Sequence, residues 1–530
     1  MLFTEVIKTS AAVGATRSRK AKITALSQTL SALDPAEIEP VVGWLSGEPR
    51  QGRIGAGWRT LSSAAAQPAA LPSLTVAEVD GLLSDLAATA GPGAVARRGE
   101  LLHRLLSAAT AAEQDFLVRL VGGELRHGAL EGVMTDAVAA AAGLPPEAVR
   151  RAFMLSGRLP VTAAAALTGG ADALSAFRLE VGRPIRPMLA APGGTPADSV
   201  AELGAVQVEY KLDGARIQVH RAGSAVWVYT RTLRDITANV PELVALVRGL
   251  ECHSVVLDGE TLALDDAGRP RSFQESMSRF GSVLDGGRGP APSAHPRADA
   301  ALGSEARAAV NRELLLHPFF FDCLHLNGVD LLDEPLERRL TALSEVAGPH
   351  RVPALVRPSA EQAAAHLDAA LAAGHEGVVV KALDSPYAAG RRGRSWQKIK
   401  PEHTLDLVVL GAEWGYGRRT GTLSNLHLGA RDPDGGPPVM VGKTFKGLTD
   451  KLLHWQTAEF PNYESHRDEH TVYLRPELVV EIELDGAQRS TRYPGGVALR
   501  FARVLRYRPD KTPAEADTID AVRALLPPGP

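Results

Sequence analysis

The residues best placed to do chemistry lie in Glu209-Tyr210-Lys211-Leu212-Asp213-Gly214-Ala215-Arg216. A lysine at the end of an extended run, just before an Asp-Gly turn, is held rigidly. Gly214 lets the backbone bend there and approach a ligand closely. Lysine is a nucleophile only as the neutral amine, so burial or nearby cations must lower its pKa. Arg216 is near enough in sequence to supply positive charge, and so is a bound metal. A neutral amine at this point can attack phosphorus and form a phosphoramide. Taken alone the pattern is weak. Lys-x-Asp-Gly also describes a surface lysine beside a turn, and it arises by chance in roughly one chain in ten of this length.

Five segments further along the chain raise its weight. Leu257-Asp258-Gly259-Glu260 is a strand end that delivers carboxylates, and Phe321-Asp322 closes an aromatic and apolar run. Glu376-Gly377-Val378-Val379-Val380-Lys381 brackets a buried strand with an acid and a cation. Trp396-Gln397-Lys398-Ile399-Lys400-Pro401 places two lysines at period two, hence on one face of a strand. Arg508-Pro509-Asp510-Lys511 ends the series. Each has an ordinary alternative. An isolated Phe321 packs in a core at odds of about three to one. Glu260 and Glu376 alone are solvated carboxylates, and Arg391, Arg392 and Arg394 alone are a charged loop.

The ordered set resembles the nucleotidyltransferase motifs shared by ATP-dependent DNA ligases, RNA ligases and mRNA capping enzymes, and it spans nearly the whole chain. The resemblance implies that Lys211 attacks the α-phosphate of ATP to become an N6-AMP-lysine. The AMP then passes to the 5′-phosphate of a nick, and the 3′-hydroxyl displaces it. Each step is an in-line displacement at phosphorus, so positioning and charge stabilisation carry the catalysis. By the same resemblance Glu209 receives the adenine amino group, Phe321 stacks on the base, Arg216 and Arg231 contact ribose and phosphates, and Arg392, six positions before Lys398, contacts the nucleotide. Glu260 binds the ribose or, with Glu376, a Mg²⁺ ion, which favours carboxylates and substrate phosphates. Lys398 and Lys400 neutralise the α-phosphate. Arg508, Asp510 and Lys511 reach the pyrophosphate during self-adenylation, with Pro509 standing inside that motif.

Two further segments favour DNA over RNA. Gly122-Gly123-Glu124-Leu125-Arg126-His127-Gly128-Ala129-Leu130-Glu131-Gly132 resembles part of the DNA-binding domain of larger ATP-dependent ligases, with Arg126 as a phosphate contact; alone it is equally a helix-capping loop. Glu413-Trp414-Gly415-Tyr416-Gly417-Arg418-Arg419-Thr420-Gly421 resembles the opening of the family's barrel domain, where Arg418 and Arg419 would track phosphates. Backbone binding without base readout suits an enzyme that must accept any sequence. The alternatives are an RNA ligase or GTP-using capping enzyme with the same lysine chemistry, and a DNA-binding scaffold with a decayed site. A long helical region ahead of the core argues against the first, and the presence of every motif lysine and acid against the second.

The elements that must hold these residues divide the chain in three. Residues 1–182 carry Ala and Leu at helical spacing, with Pro and Gly at the joins, and predict an all-α domain, which the resemblance implies binds DNA. Residues 183–402 alternate short strand runs with a helical stretch near Glu361–Gly374 and predict an α+β domain, which the resemblance implies is the adenylation domain. Within it, residues 280–310 are rich in Gly, Pro, Ala and Ser and read as a flexible surface insertion. Residues 403–530 hold five strand-like segments and predict a β-barrel of the OB fold.

Composition sets limits on these expectations. The chain has 530 residues, 45% hydrophobic and 22% charged, so three globular domains fit its length. Its net charge is −3, so positive charge for a nucleic acid must be gathered locally. Two cysteines, Cys252 and Cys323, leave no disulfide framework and no Cys₄ zinc site of the kind NAD-dependent ligases carry, so ATP is the expected cofactor. No run of about 18 apolar residues and no signal sequence is evident, so a cytoplasmic location away from membranes is expected. The resemblance implies nicked duplex DNA as the substrate, and a monomer is expected.

Overall fold

Thr75 and Thr110 show how the N-terminal third starts its helices. The hydroxyl of each accepts from the backbone N–H three residues on, and Glu78 and Glu113 reach back to the capping N–H at 2.9 and 2.8 Å. In the computed structural model, residues 1–526 are described except 53, 55–59, 62, 63, 65, 124, 126–130, 266, 267, 272–314, 389–392 and 416–418. The helical region runs from Phe3–Ala15 to Leu159–Ser175. Its core includes Phe3, whose ring meets those of Trp44 and Phe116 edge-on at 5.4 and 5.7 Å. The insertion at 280–310 lies outside the described residues.

The helical region is joined to the central region by a shared apolar cluster. Met154 and Leu155 of helix Pro146–Ser156 pack with Leu179, Ile185, Met188, Val256 and Leu324. The N–H of Arg186 donates to the Met154 carbonyl at 3.0 Å, and Arg151 forks onto Asp333.

The central region is built on two sheets, each of five described strands. In the first, Ala191–Pro192, Trp396–Ile399, Gly377–Ala382, Val206–Lys211 and Ala354–Val356 lie side by side. In the second the order is Ala225–Thr230, Ala215–Ala222, Ser254–Ala263, Leu316–Leu326 and Val329–Asp330, all antiparallel. The two strands around the lysine motif therefore belong to different sheets, and Leu212-Asp213-Gly214 crosses between them. A side chain at Gly214 would meet the Thr261 carbonyl at 2.4 Å, so only glycine makes this crossing. The expected helix forms over Ala360–Ala372, and the Ala222-Gly223-Ser224 turn joins its hairpin as the sequence indicates.

The C-terminal region is rich in sheet. Seven strands, from His403–Trp414 to Arg503–Tyr507, form one antiparallel sheet, and Gly486–Arg489 pairs with Val497–Arg500 beside it. Two features depart from the expectation from sequence. A helix, Asp450–Tyr463, starts from a Thr449 cap. The run ALRFARVLRY is two strands, broken where Phe501 takes a left-handed φ of 55°. Among the described residues no helix is long and apolar enough to cross a membrane.

Three neighbouring strands of this sheet converge on Glu413. It accepts from His427 Nε2 at 3.0 Å and Asn425 Nδ2 at 2.7 Å, and Lys443 is its ion-pair partner. The bond from His427, aided by Lys443 and Asn425, pulls its carboxyl down to about 2. A depressed folded-state pKa stabilises the fold above the unfolded value and loses that contribution as pH falls. Glu413→Gln should thus cost about 1–3 kcal/mol at pH 7. The difference in melting temperature from the parent chain should close as pH drops from about 4.5 toward 2. A gap that persists at pH 2 would contradict this.

Candidate active site

Lys211 ends the strand Val206–Lys211, directly across from Gly377. The N–H of Glu376 donates to the Lys211 carbonyl at 3.0 Å, fixing the backbone on both sides of the gap. Gly377 has φ +148°, and a Cβ there would stand 2.2 Å from the Ile399 carbonyl, so a larger residue would push the strands apart. The Lys211 amine pairs with the Glu376 carboxylate, both half-buried. Burial raises the pKa of Glu376, with Lys211 opposing.

The second sheet forms the facing wall. Arg216 lies opposite Glu260 in register, and its guanidinium forks onto Asp258 at 3.0 and 2.6 Å. Asp258 also accepts from the Tyr387 hydroxyl at 2.6 Å, and that hydroxyl accepts from the Met188 N–H at 2.9 Å. The Arg186-Pro187-Met188 segment is thereby tied to the arginine. Desolvation pushes Glu260 up to about 7 against the pull of Arg216 and Lys211. Phe321 is half-buried, with the Arg216 guanidinium 5.3 Å and the Lys381 ammonium 4.3 Å from its ring centre. Glu209 is buried and pairs with Lys381 at 2.5 Å.

Glu209, Lys211, Arg216, Arg231, Glu260, Phe321, Glu376 and Lys398 all line one cavity of about 580 Å³. Its walls bring a lysine amine, acids and cations together in an arrangement suited to a nucleoside phosphate. Among the described residues there is no group of three or more His, Cys, Asp or Glu able to hold a metal by itself. Two acidic side chains with substrate oxygens are the pattern expected for Mg²⁺.

Comparison with known proteins gives the family. Family models match residues 187–400 as "ATP dependent DNA ligase domain", 419–511 as "ATP dependent DNA ligase C terminal region" and 59–139 as "DNA ligase N terminus". A probable DNA ligase of Rhodococcus jostii (strain RHA1) is 68% identical over 99% of this chain and 100% of its own. The chain belongs to the ATP-dependent DNA ligase family. A probable DNA ligase of Nocardia farcinica (strain IFM 10152) is 66% identical over 99% of this chain and 100% of its own. A solved structure named Pmar-Lig_PreS3 covers 96% of this chain and 100% of its own at 17% identity and a TM-score of 0.58, a likeness of fold.

Not every expected residue of the ligase reaches the cavity. Lys400 lies just past the strand Trp396–Ile399 and pairs with Asp485 of the C-terminal region. Arg508, Asp510 and Lys511 sit apart from the cavity walls. Arg508 bonds Asp510 at 2.6 Å and Asp406 at 3.0 Å, and Lys511 also pairs with Asp406. Arg508 holds the Asp510 carboxyl down to about 2. Arg419 donates to the carbonyls of Phe445 at 2.8 Å and Ser424 at 3.4 Å. Arg126, Arg392 and Arg418 lie outside the described residues.

Instead, the C-terminal region of the ligase sends Arg500 and Phe501 to the cavity. Arg500 forks onto Asp213 at 2.7 and 3.1 Å and comes within 3.9 Å of Glu376. Burial works against it, but the hydrogen bond and charge of Arg500 hold the Asp213 carboxyl below its usual range. Nothing in the local pattern signals this contact, because Arg500 lies inside a run that looks like an unbroken strand.

Proposed function

We propose that the chain seals nicks in duplex DNA with ATP, through a covalent adenylate on Lys211. The observation that carries this reading is the convergence of Lys211, Glu209, Arg216, Glu260, Phe321, Glu376 and Lys398 on one cavity. Before attack, Nζ of Lys211 must lose its proton; the Glu376 carboxylate in contact with it holds the amine in place. The amine then attacks the α-phosphorus of ATP and pyrophosphate leaves. The lysine–AMP bond breaks when the 5′-phosphate of the nick takes up the adenylate. Finally the 3′-hydroxyl attacks that phosphate and AMP departs. Arg216, Arg231 and Lys398 hold phosphate charge, Glu209 takes the adenine amine, and Phe321 stacks on the base.

Glu260 and Glu376 suit Mg²⁺. Both are carboxylates whose burial disfavours the anion, the environment in which a divalent cation is a favourable partner. Mg²⁺ bound there supplies positive charge against the phosphates. Residues 1–182 act as an all-α DNA-binding domain, 183–402 as the adenylation domain and 403–530 as an OB-fold barrel. The chain works as a cytoplasmic monomer. With Arg500 on Asp213 the barrel covers the cavity, which suits lysine charging. Binding of DNA then requires it to swing away.

Sealing assays on nicked DNA and nicked RNA, each with ATP, GTP or NAD, test the proposal. Nicked DNA with ATP should be sealed at least 100-fold faster than any other combination (order of magnitude). Preference for NAD or for nicked RNA would overturn it.

A further inference from the structure

Glu209 does not meet the cavity as a free carboxylate. The residue is 3% exposed, and each carboxylate oxygen already has a donor. Lys381 Nζ holds one oxygen at 2.5 Å and Gln207 Nε2 donates to the other at 2.8 Å. The three side chains share one face of adjoining strands, since Gln207 lies two residues from Glu209 and directly opposite Lys381 in register. Gln207 and Lys381 are themselves 4% and 1% exposed. The lysine is held from its other side too. Its ammonium stands 4.3 Å from the Phe321 ring centre and 4.0 Å from that of Trp396.

A buried lysine boxed by two aromatic rings is a costly device unless it controls something. What it controls is the chemistry that Glu209 presents. An ionised carboxylate only accepts hydrogen bonds, whereas a protonated one also donates. Burial pushes Glu209 toward the protonated form, and Lys381 is the first influence opposing it.

We propose that Lys381 and Gln207 set the nucleobase selectivity of the cavity by fixing Glu209 as an acceptor-only group. The inference rests on the reading that Glu209 faces the base. Adenine offers an exocyclic amine to such a group. Guanine offers a carbonyl at the same place, so two acceptors would face each other without a proton, an arrangement that polar sites reject strongly. Without Lys381 the buried carboxyl takes a proton and can donate to a carbonyl, so discrimination falls. Lys381 and Gln207 are thus positioning residues acting through Glu209.

The test measures formation of the nucleotide adduct with ATP and with GTP, giving kcat and KM separately, for the full chain and for Lys381→Met, Gln207→Leu and Glu209→Gln. In Lys381→Met the ratio of kcat/KM for ATP over GTP should fall at least tenfold, chiefly through a higher KM for ATP. In Gln207→Leu it should fall about threefold or more. A purely structural defect lowers both nucleotides alike, and a ratio unchanged within twofold in Gln207→Leu and in any folded Lys381→Met overturns the proposal. If Glu209→Gln shifts the ratio but those two do not, Glu209 faces the base and only the proposal fails. If Glu209→Gln leaves the ratio unchanged, the reading of Glu209 fails and the proposal with it.

Discussion

Replacing Lys211 by Ala should erase the AMP adduct that mass spectrometry detects after incubation with ATP and Mg²⁺. Sealing of an ordinary nick should fall by about 10³-fold or more, because the proposed nucleophile is gone. The last chemical step does not use the lysine as nucleophile, since there the 3′-hydroxyl attacks the adenylated 5′-phosphate and AMP leaves. A nick already carrying AMP on its 5′-phosphate should therefore still be sealed by Lys211→Ala, within about tenfold of the parent rate. Lys381 and Lys398 line the same cavity and make the test a sharp one. An adduct that persists on either would move the nucleophile and end the assignment.

Breaking the clasp between the C-terminal region and the lysine motif should have the next largest effect. Arg500→Ala removes a two-bond fork onto Asp213 in a partly buried setting. Such a pair contributes about 1.5–3 kcal/mol when one partner is lost. If the clasped state charges the lysine, self-adenylation should slow by roughly 10- to 100-fold, the population shift that this energy allows. Sealing of pre-adenylated nicks should change far less. Asp213→Ala should match it, and the double variant should be little worse than either single one, because the two residues act as a unit. Fully additive losses would show that Arg500 and Asp213 act separately.

Much of the site could be read from the chain, because each motif combines a reactive side chain with the local backbone that presents it. Lys211 before Gly214 and Glu376 before Gly377 are of this kind: the glycines mark where strands cross or crowd. What was not legible came from tertiary contacts or from residues in unexpected conformations. Lys400 shares the period of Lys398, but the strand ends at Ile399, so the second lysine leaves for Asp485. Phe501 takes a left-handed φ that sequence rules reserve largely for glycine and asparagine, and that kink aims Arg500 at the cavity. The cage around Lys381 joins strands separated by long stretches of chain. The helix Asp450–Tyr463 mixes His, Trp and Pro461 into its pattern and lacks a clean apolar stripe. The overall charge of −3 carries no hint of the cationic cavity.

The apolar seam around Met154 and Leu155 bears on how this protein can be dissected. Those two side chains, with Leu179, complete a core that also takes in Ile185, Met188, Val256 and Leu324 of the central region. Severing the backbone near residue 182 would not free a detachable accessory. It would peel one wall from a packed interior and leave greasy surface on both fragments. The helical part thus packs against the central region as part of its core, and a truncated enzyme that loses activity would not by itself reveal which role had been removed.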